Sequence, residues 1–205
     1  VNILSLSISV VASLFLGREI LRQLHYDDFH EKGDRIYRVV GQLRHDGGAF
    51  DESRTGPPLA PLLAAEFAEV EQTVRLARWS GSVRVGEKAF QEAIWFTDPS
   101  FFDVFSFPLL TGNPAMALRD PFSIVLSETT ARRYFGDDDP IGQVVTFVSS
   151  VDQEPRPFTV RGVLQDTPSN SHVKIRLLAP LSSLRNLPGW GERYFDRTWY
   201  WSPTF

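Results

Sequence analysis

His25 and His30 stand among four carboxylates, Asp27, Asp28, Glu31 and Asp34, and imidazole mixed with carboxylate is a ligand set that suits zinc or manganese. The plainer reading, a solvated helix end, is preferred. Asp137-Asp138-Asp139 has the charge of a calcium loop but lacks its alternate spacing and its distal bidentate Glu, so it reads as a capped turn in water. Glu66, Glu69 and Glu71 could share protons for acid and base work, yet they surround a helix end, where charge faces solvent. Trp199-Tyr200-Trp201 would suit a membrane-interface belt or a ligand-stacking face; a strand packing into a core is preferred. The sequence holds no Gly-x-x-x-x-Gly-Lys-Ser/Thr loop, no Gly-x-Gly-x-x-Gly, no Gly-x-Ser-x-Gly elbow and no His-Glu-x-x-His. No catalytic, cofactor-binding or metal-ligating residue is therefore assigned, the chain is not expected to be an enzyme, and any nucleotide chemistry belongs to another chain.

The element that must position these groups is the stretch before them. Val1 to Leu16 carries no charge, and a bilayer core needs roughly twenty apolar residues in helix, so the stretch is expected to be the end of a membrane helix that begins upstream. Ser5, Ser7, Ser9 and Ser13 are tolerable there because their hydroxyls can bond back to helix carbonyls. A secretory signal would want a basic residue before the run and a small-residue cleavage site after it; Gly17, Arg18 and Glu19 follow instead. A buried core helix is the other alternative. Helical spacing continues, with Ile20, Leu21 and Leu24 on one face. With 42% hydrophobic and 22% charged residues the rest is globular. A net charge of −4 argues against a nucleic-acid partner. The absence of cysteine excludes a disulfide framework and thiolate zinc sites.

Taken in order, the polar run from Asp27 to Asp34 is expected to end the long helix, with Gly33 at its exit. Alternation of Tyr37, Val39 and Leu43 with Arg38, Gln42 and Arg44 predicts a strand over Arg35 to Arg44, followed by a polar loop from His45 to Gly56. Pro57, Pro58 and Pro61 open a helix, and a strand from Val70 to Arg78 completes a small β-α-β unit. Ser82 to Val85 and Ala89 to Phe96 read as a hairpin around Gly86-Glu87-Lys88. Asp98 is expected to cap a short helix with Pro99 at its first position, and Phe107 to Pro114 to form a tight apolar loop. A second unit begins near Pro121: strand Phe122 to Leu126, a helix capped by Ser127 and closed by Gly136, and strands Gln143 to Val148 and Phe158 to Leu164. Lys174 to Pro180 is a returning strand, Leu181 to Leu187 a weak helix, and the aromatic-rich Tyr194 to Phe205 is expected to stop inside an element.

Three stretches together resemble the MacB-type, or FtsX-like, permeases of ABC transporters. Tyr26-Asp27-Asp28-Phe29-His30-Glu31-Lys32-Gly33-Asp34-Arg35-Ile36-Tyr37-Arg38 is similar to the junction between their first membrane helix and periplasmic domain. Thr97-Asp98-Pro99-Ser100-Phe101-Phe102-Asp103-Val104-Phe105, with Pro108-Leu109-Leu110-Thr111-Gly112-Asn113-Pro114, resembles the middle of that domain. Ile124-Val125-Leu126-Ser127 through Tyr134-Phe135-Gly136-Asp137, Pro140-Ile141-Gly142 and Phe158-Thr159-Val160-Arg161-Gly162-Val163-Leu164 resembles its most recognisable signature.

The resemblance implies an α+β fold: porter-like β-α-β units with an inserted, sabre-like second α+β part, preceded by the membrane helix. The implied boundaries are 1–26 for the helix and its extension, 27–120 for the first porter-like part, 121–172 for the insertion and 173–205 for the return. It also implies a domain facing the periplasm from the inner membrane, a second permease copy, and a cytoplasmic ABC ATPase that binds the ATP. No cofactor is expected in this chain. Ile20, Leu21 and Leu24 become the face coupling the helix to its partner, and a periplasmic adaptor or substrate is a further partner. The alternative is a membrane-tethered sensor or ligand-binding module, with a ligand between the two units.

Overall fold

The computed structural model describes residues 2–45, 48–52, 55–150, 153–185 and 195. Helix α1 (Ile3–Leu24) is capped by Asn2, whose side chain accepts from Leu4 N, and none of its residues is buried. Its apolar side chains are therefore exposed along its length, about 33 Å at 1.5 Å per residue. Ser7 and Ser9 donate to the carbonyls of Ile3 (2.9 Å) and Ser5 (2.8 Å), which satisfies the hydroxyls inside the helix itself. The helix ends at Leu24 rather than in the Asp27 to Asp34 run. Asp27, not Gly33, takes the left-handed backbone at φ 60°, and Gly33–Arg35 forms a single 3-10 turn.

The strand predicted over Arg35 to Arg44 is displaced. Val39 makes an isolated bridge, but continuous pairing begins at β1 (Gly41–His45), whose antiparallel partner is β2 (Gly48–Glu52), inside the segment read as a loop. Among the described residues these two strands form a sheet of their own, so the β-α-β unit expected from that first strand does not exist. Helix α2 (Leu59–Glu66) does open at the proline cluster. Strands β3 (Leu76–Val85) and β4 (Lys88–Thr97) make the expected hairpin, longer than the sequence indicated. Helix α3 (Phe101–Val104) starts after Ser100, not Asp98. The supposed apolar loop contains β5 (Leu109–Gly112), followed by α4 (Pro114–Ala117). Then come β6 (Ser123–Ser127), α5 (Glu128–Phe135), β7 (Val144–Ser149), β8 (Pro155–Leu164), β9 (Leu177–Pro180) and α6 (Ser182–Arg185). The Trp199-Tyr200-Trp201 run lies outside the described residues, as do the last residues of the helix predicted over Leu181 to Leu187.

The main sheet has seven strands in the order β5-β8-β6-β9-β4-β3-β7, and β7 also pairs with β8. That last pairing closes β8, β6, β9, β4, β3 and β7 into a ring, with β5 added outside on β8. Strands from residues 121–172 and from both flanking segments are thus hydrogen-bonded neighbours in one sheet. The β6–β8 and β4–β9 pairs are parallel, and each is joined through intervening helix, as parallel neighbours require.

Period-two alternation gives the sheet two buried faces. Ile124 and Leu126 of β6, Leu177 and Ala179 of β9, and Ile94 and Phe96 of β4 share one cluster with Ala131 and Tyr134 of α5. Val125 and Leu178 point the other way, into a second cluster with Phe101, Phe105, Phe107, Ala117 and Leu118. In β8, Phe158 and Val160 belong to the first cluster, and so does Val163. A register shift opposite Ile124/Val125 inserts one extra residue there and resets the alternation. The phenylalanines of α3 and the turn after it cover the second face; Phe101 and Phe107 stack at 5.6 Å. Phe101 is fully buried, and its removal from water is worth roughly 2 to 3 kcal/mol.

Candidate functional site

Where α1 meets the folded domain, two short loops are fastened onto the residues that leave the helix. The first holds Asp27. Its N–H donates to Asn170 O (2.9 Å), and its carboxylate accepts the His172 N–H (3.0 Å) and sits 2.6 Å from His172 Nδ1. Asn170 Nδ2 donates to His25 O at 2.6 Å, supplying a partner for a carbonyl that a helix end otherwise leaves unpaired. Tyr26 lays its ring on His172, centroids 4.5 Å apart. Asp tolerates the left-handed backbone needed here because its short polar side chain bonds locally.

The second fastening is made by the four residues that follow Asp28. Phe29 packs edge-on against Phe107 at 5.3 Å, and the His30 ring lies 5.2 Å from Phe105 and 5.1 Å from Phe107. His30 is buried, and its Nδ1 accepts the Ser106 N–H at 3.1 Å. The Glu31 N–H returns the bond to Ser106 Oγ (2.9 Å), and Lys32 Nζ donates to Asp103 O (2.7 Å) at the end of α3. Arg35 pairs with Glu71 at 3.0 Å, both side chains exposed, so this contact adds little. Between the fastenings lies an open cavity of about 580 Å3 with Tyr26, Asp28, Glu31, Asp34, Ile36 and Arg38 among its walls.

Two of the ionisable groups at the fastenings are shifted. Burial lowers the His30 imidazole, and the nearby Asp27 charge only partly offsets it, so His30 is held neutral, the form that can accept from Ser106. For Asp27, burial acts upward, but the hydrogen bonds from His172 and Ser171 outweigh it and hold the carboxyl below its ordinary range.

The other residues singled out from the sequence lie at joints elsewhere. Asp98 does not cap α3 with its side chain. Its carboxylate grips Arg75, taking Nη2 at 2.6 Å and both Nε and the backbone N–H at 2.9 Å. Arg75 also donates to Pro57 O (3.1 Å), tying the starts of α2, β3 and α3 together; Pro99 follows Asp98 in the turn before α3. Sequence reasoning missed Arg75, whose only signal was an Arg just ahead of a strand. Phe102 is half-buried beside Phe101, at 5.3 Å. Gly112 faces Gly162 across β5 and β8. Ser127 caps α5 by accepting from Thr130 N, Phe135 ends that helix, and Gly136 leaves it at φ 68°. Pro140 O accepts from Gln143 N (3.1 Å), and Gly142 N donates to Val160 O (2.9 Å). Tyr37 is 76% exposed. Ile20, Leu21 and Leu24 are 57%, 59% and 69% exposed, unburied by the domain itself.

The groups considered for chemistry are not gathered. His25 pairs with Asp28 at 2.7 Å while His30 faces Ser106, and among the described residues no three His, Asp or Glu side chains are grouped to hold a metal ion. Glu66 and Glu69 are exposed, Glu71 is on Arg35, and Asp139 accepts from Ile141 N (2.9 Å) within its own turn. What the arrangement can do is hold a helix end rigidly against a folded body.

The comparisons point the same way. The family model described as the MacB-like periplasmic core domain matches residues 3–200. No curated protein matches the chain. Among solved structures, a domain described as that of a permease protein from Porphyromonas gingivalis superposes with a TM-score of 0.69 at 23% identity, over 85% of this chain and 73% of that one. The periplasmic region of MacB from Actinobacillus actinomycetemcomitans gives 0.52 at 24% identity, over 71% and 61%. The extracellular domain of the noncanonic ABC-type transporter YknZ from Gram-positive bacteria gives 0.51 at 19%, over 74% and 72%. At these identities the structures speak for the fold alone. The extent of the family match settles membership: the chain belongs to the family of MacB-like periplasmic core domains.

Proposed function

We propose that this chain is the periplasmic core of an ABC transporter permease, and that α1 crosses the inner membrane and carries motion driven by ATP hydrolysis into the domain. A cytoplasmic ATPase binds the nucleotide, a second permease copy completes the dimer, and this chain performs no catalysis. The observation that carries the reading is the junction. A helix with every residue unburied ends in two sets of bonds, to residues 170–172 and to Asp103 and Ser106, so displacement of the helix end must move both loops. A straight helix is suited to this because bending it would break its backbone bonds.

Ile20, Leu21 and Leu24 form the face on which α1 meets a neighbouring membrane helix. Leu21→Pro removes a backbone bond and kinks the helix at a cost of about 3 kcal/mol. In the full-length permease reconstituted with its ATPase, this variant is expected to keep hydrolysing ATP while export per ATP falls. Unchanged export per ATP would contradict transmission through α1.

A further inference from the structure

The β4–β9 pairing starts at Trp95–Leu178, and ahead of it β4 faces the segment that leads from the 170–172 loop into β9. They enclose a groove of about 230 Å3 lined by Arg78, Glu92, Ala93, Trp95, Lys174 and Arg176. We propose that this groove binds a phosphate-type oxyanion, either free or carried on a headgroup.

The argument begins with Arg78. It stands directly across the ladder from Trp95, its guanidinium lies 5.8 Å from the Trp95 ring centroid, and it is exposed. No hydrogen-bond acceptor among the described residues engages it. Trp95 is itself pinned, its Nε1–H donating to Lys174 O at 3.0 Å. A guanidinium stacked on a fixed indole keeps its planar fork of N–H donors oriented, the geometry that suits an oxyanion. Arg176 supplies charge from the opposite wall, and Lys174, whose Nζ also donates to Pro168 O, adds to it.

Glu92 is the one carboxylate in the lining, and it is already spent. Its side chain is 2% exposed, with one oxygen on Arg133 and the other 3.7 Å from Arg176. Counting Arg133, four cations face one carboxylate, in a chain whose net charge is −4. That local surplus favours a multiply charged anion over a single carboxylate. Glu92 then acts as the post that positions Arg176, while Arg78 contributes the open fork.

The test uses the full-length protein in nanodiscs, read by thermal midpoint. In phosphatidylcholine nanodiscs, inorganic phosphate is titrated against chloride at constant ionic strength; in phosphatidylglycerol nanodiscs no phosphate is added. A saturable rise in the first arm assigns a free oxyanion, and a higher midpoint in the second assigns a headgroup. Arg78→Gln is expected to weaken the apparent affinity at least tenfold or abolish the headgroup shift. Arg78→Lys, which keeps the charge but loses the fork, should fall between. Arg161→Gln, an exposed charge outside the groove, should behave as wild type. No shift in either arm, or equal responses from Arg78→Gln and Arg161→Gln, would overturn the site.

Discussion

Asp27 and His30 are the residues on which the junction turns, and both make it sensitive to acid in the same direction. His30 in the unfolded chain titrates near 6.5, and burial lowers it in the fold. Between those two values the unfolded chain binds more protons, so the contribution of His30 is full above 6.5 and is lost as pH falls through the folded value. Asp27 is held below its ordinary 3.8, so its contribution is present above that value and disappears only in stronger acid. The thermal midpoint is therefore expected to fall as buffer pH is lowered from 7.5 to 5.5. His30→Asn, whose amide oxygen can accept from Ser106 N without titrating, should flatten that slope; an identical slope would count against the assignment. Asp98→Ala leaves the Arg75 guanidinium without its carboxylate at a site where the two side chains are 16% and 15% exposed. A loss of about 3 kcal/mol in urea unfolding is expected. These pairings were hidden in the sequence for a definite reason. Local capping rules assigned Asp98 to the next helix, whereas its partner lies 23 residues earlier. Gly33 looked like the helix exit because glycine tolerates positive φ, yet the contacts that fix Asp27 come from residues 170–172.

At the scale of elements, whatever rested on neighbouring residues was legible. Ser127 and Gly136 bracket α5 as their chemistry requires, and the β3–β4 hairpin turns at Gly86 with φ 55°. Ser127→Ala removes the acceptor for Thr130 N, at 3.3 Å, and should cost about 1 kcal/mol. The displaced first strand shows where local reasoning runs out. Alternation over Tyr37 to Leu43 is present in the sequence, but Tyr37 is 76% exposed, and among the described residues the strands of this region pair with each other and not with the main sheet. Two glycines separate backbone strain from crowding. Gly136 sits at φ 68° with open space around an added Cβ, whereas Gly112 has φ 106° and a Cβ there would lie 2.5 Å from Arg161 O. Gly136→Ala is expected to cost roughly 1 to 2 kcal/mol from strain alone. Gly112→Ala should cost more, because β5 must also move off β8; urea midpoints in the reverse order would contradict this packing.

For the whole molecule, the sequence supplied an exposed apolar helix followed by an α+β body. It did not supply the closure of the sheet. The β3–β7 and β4–β9 pairings join residues distant in the chain, and nothing local announces which strands become neighbours across such distances. Closure makes the body a single stiff object against which the end of α1 is fastened, and that stiffness is what the proposed transmission needs. Its placement outside the cytoplasm can be tested directly, because the chain contains no cysteine and Asp138 lies in an exposed turn. Full-length protein carrying Asp138→Cys should react with a membrane-impermeant maleimide in intact spheroplasts as fully as after lysis. Labelling only after lysis would put the domain in the cytoplasm and contradict its role as a periplasmic core.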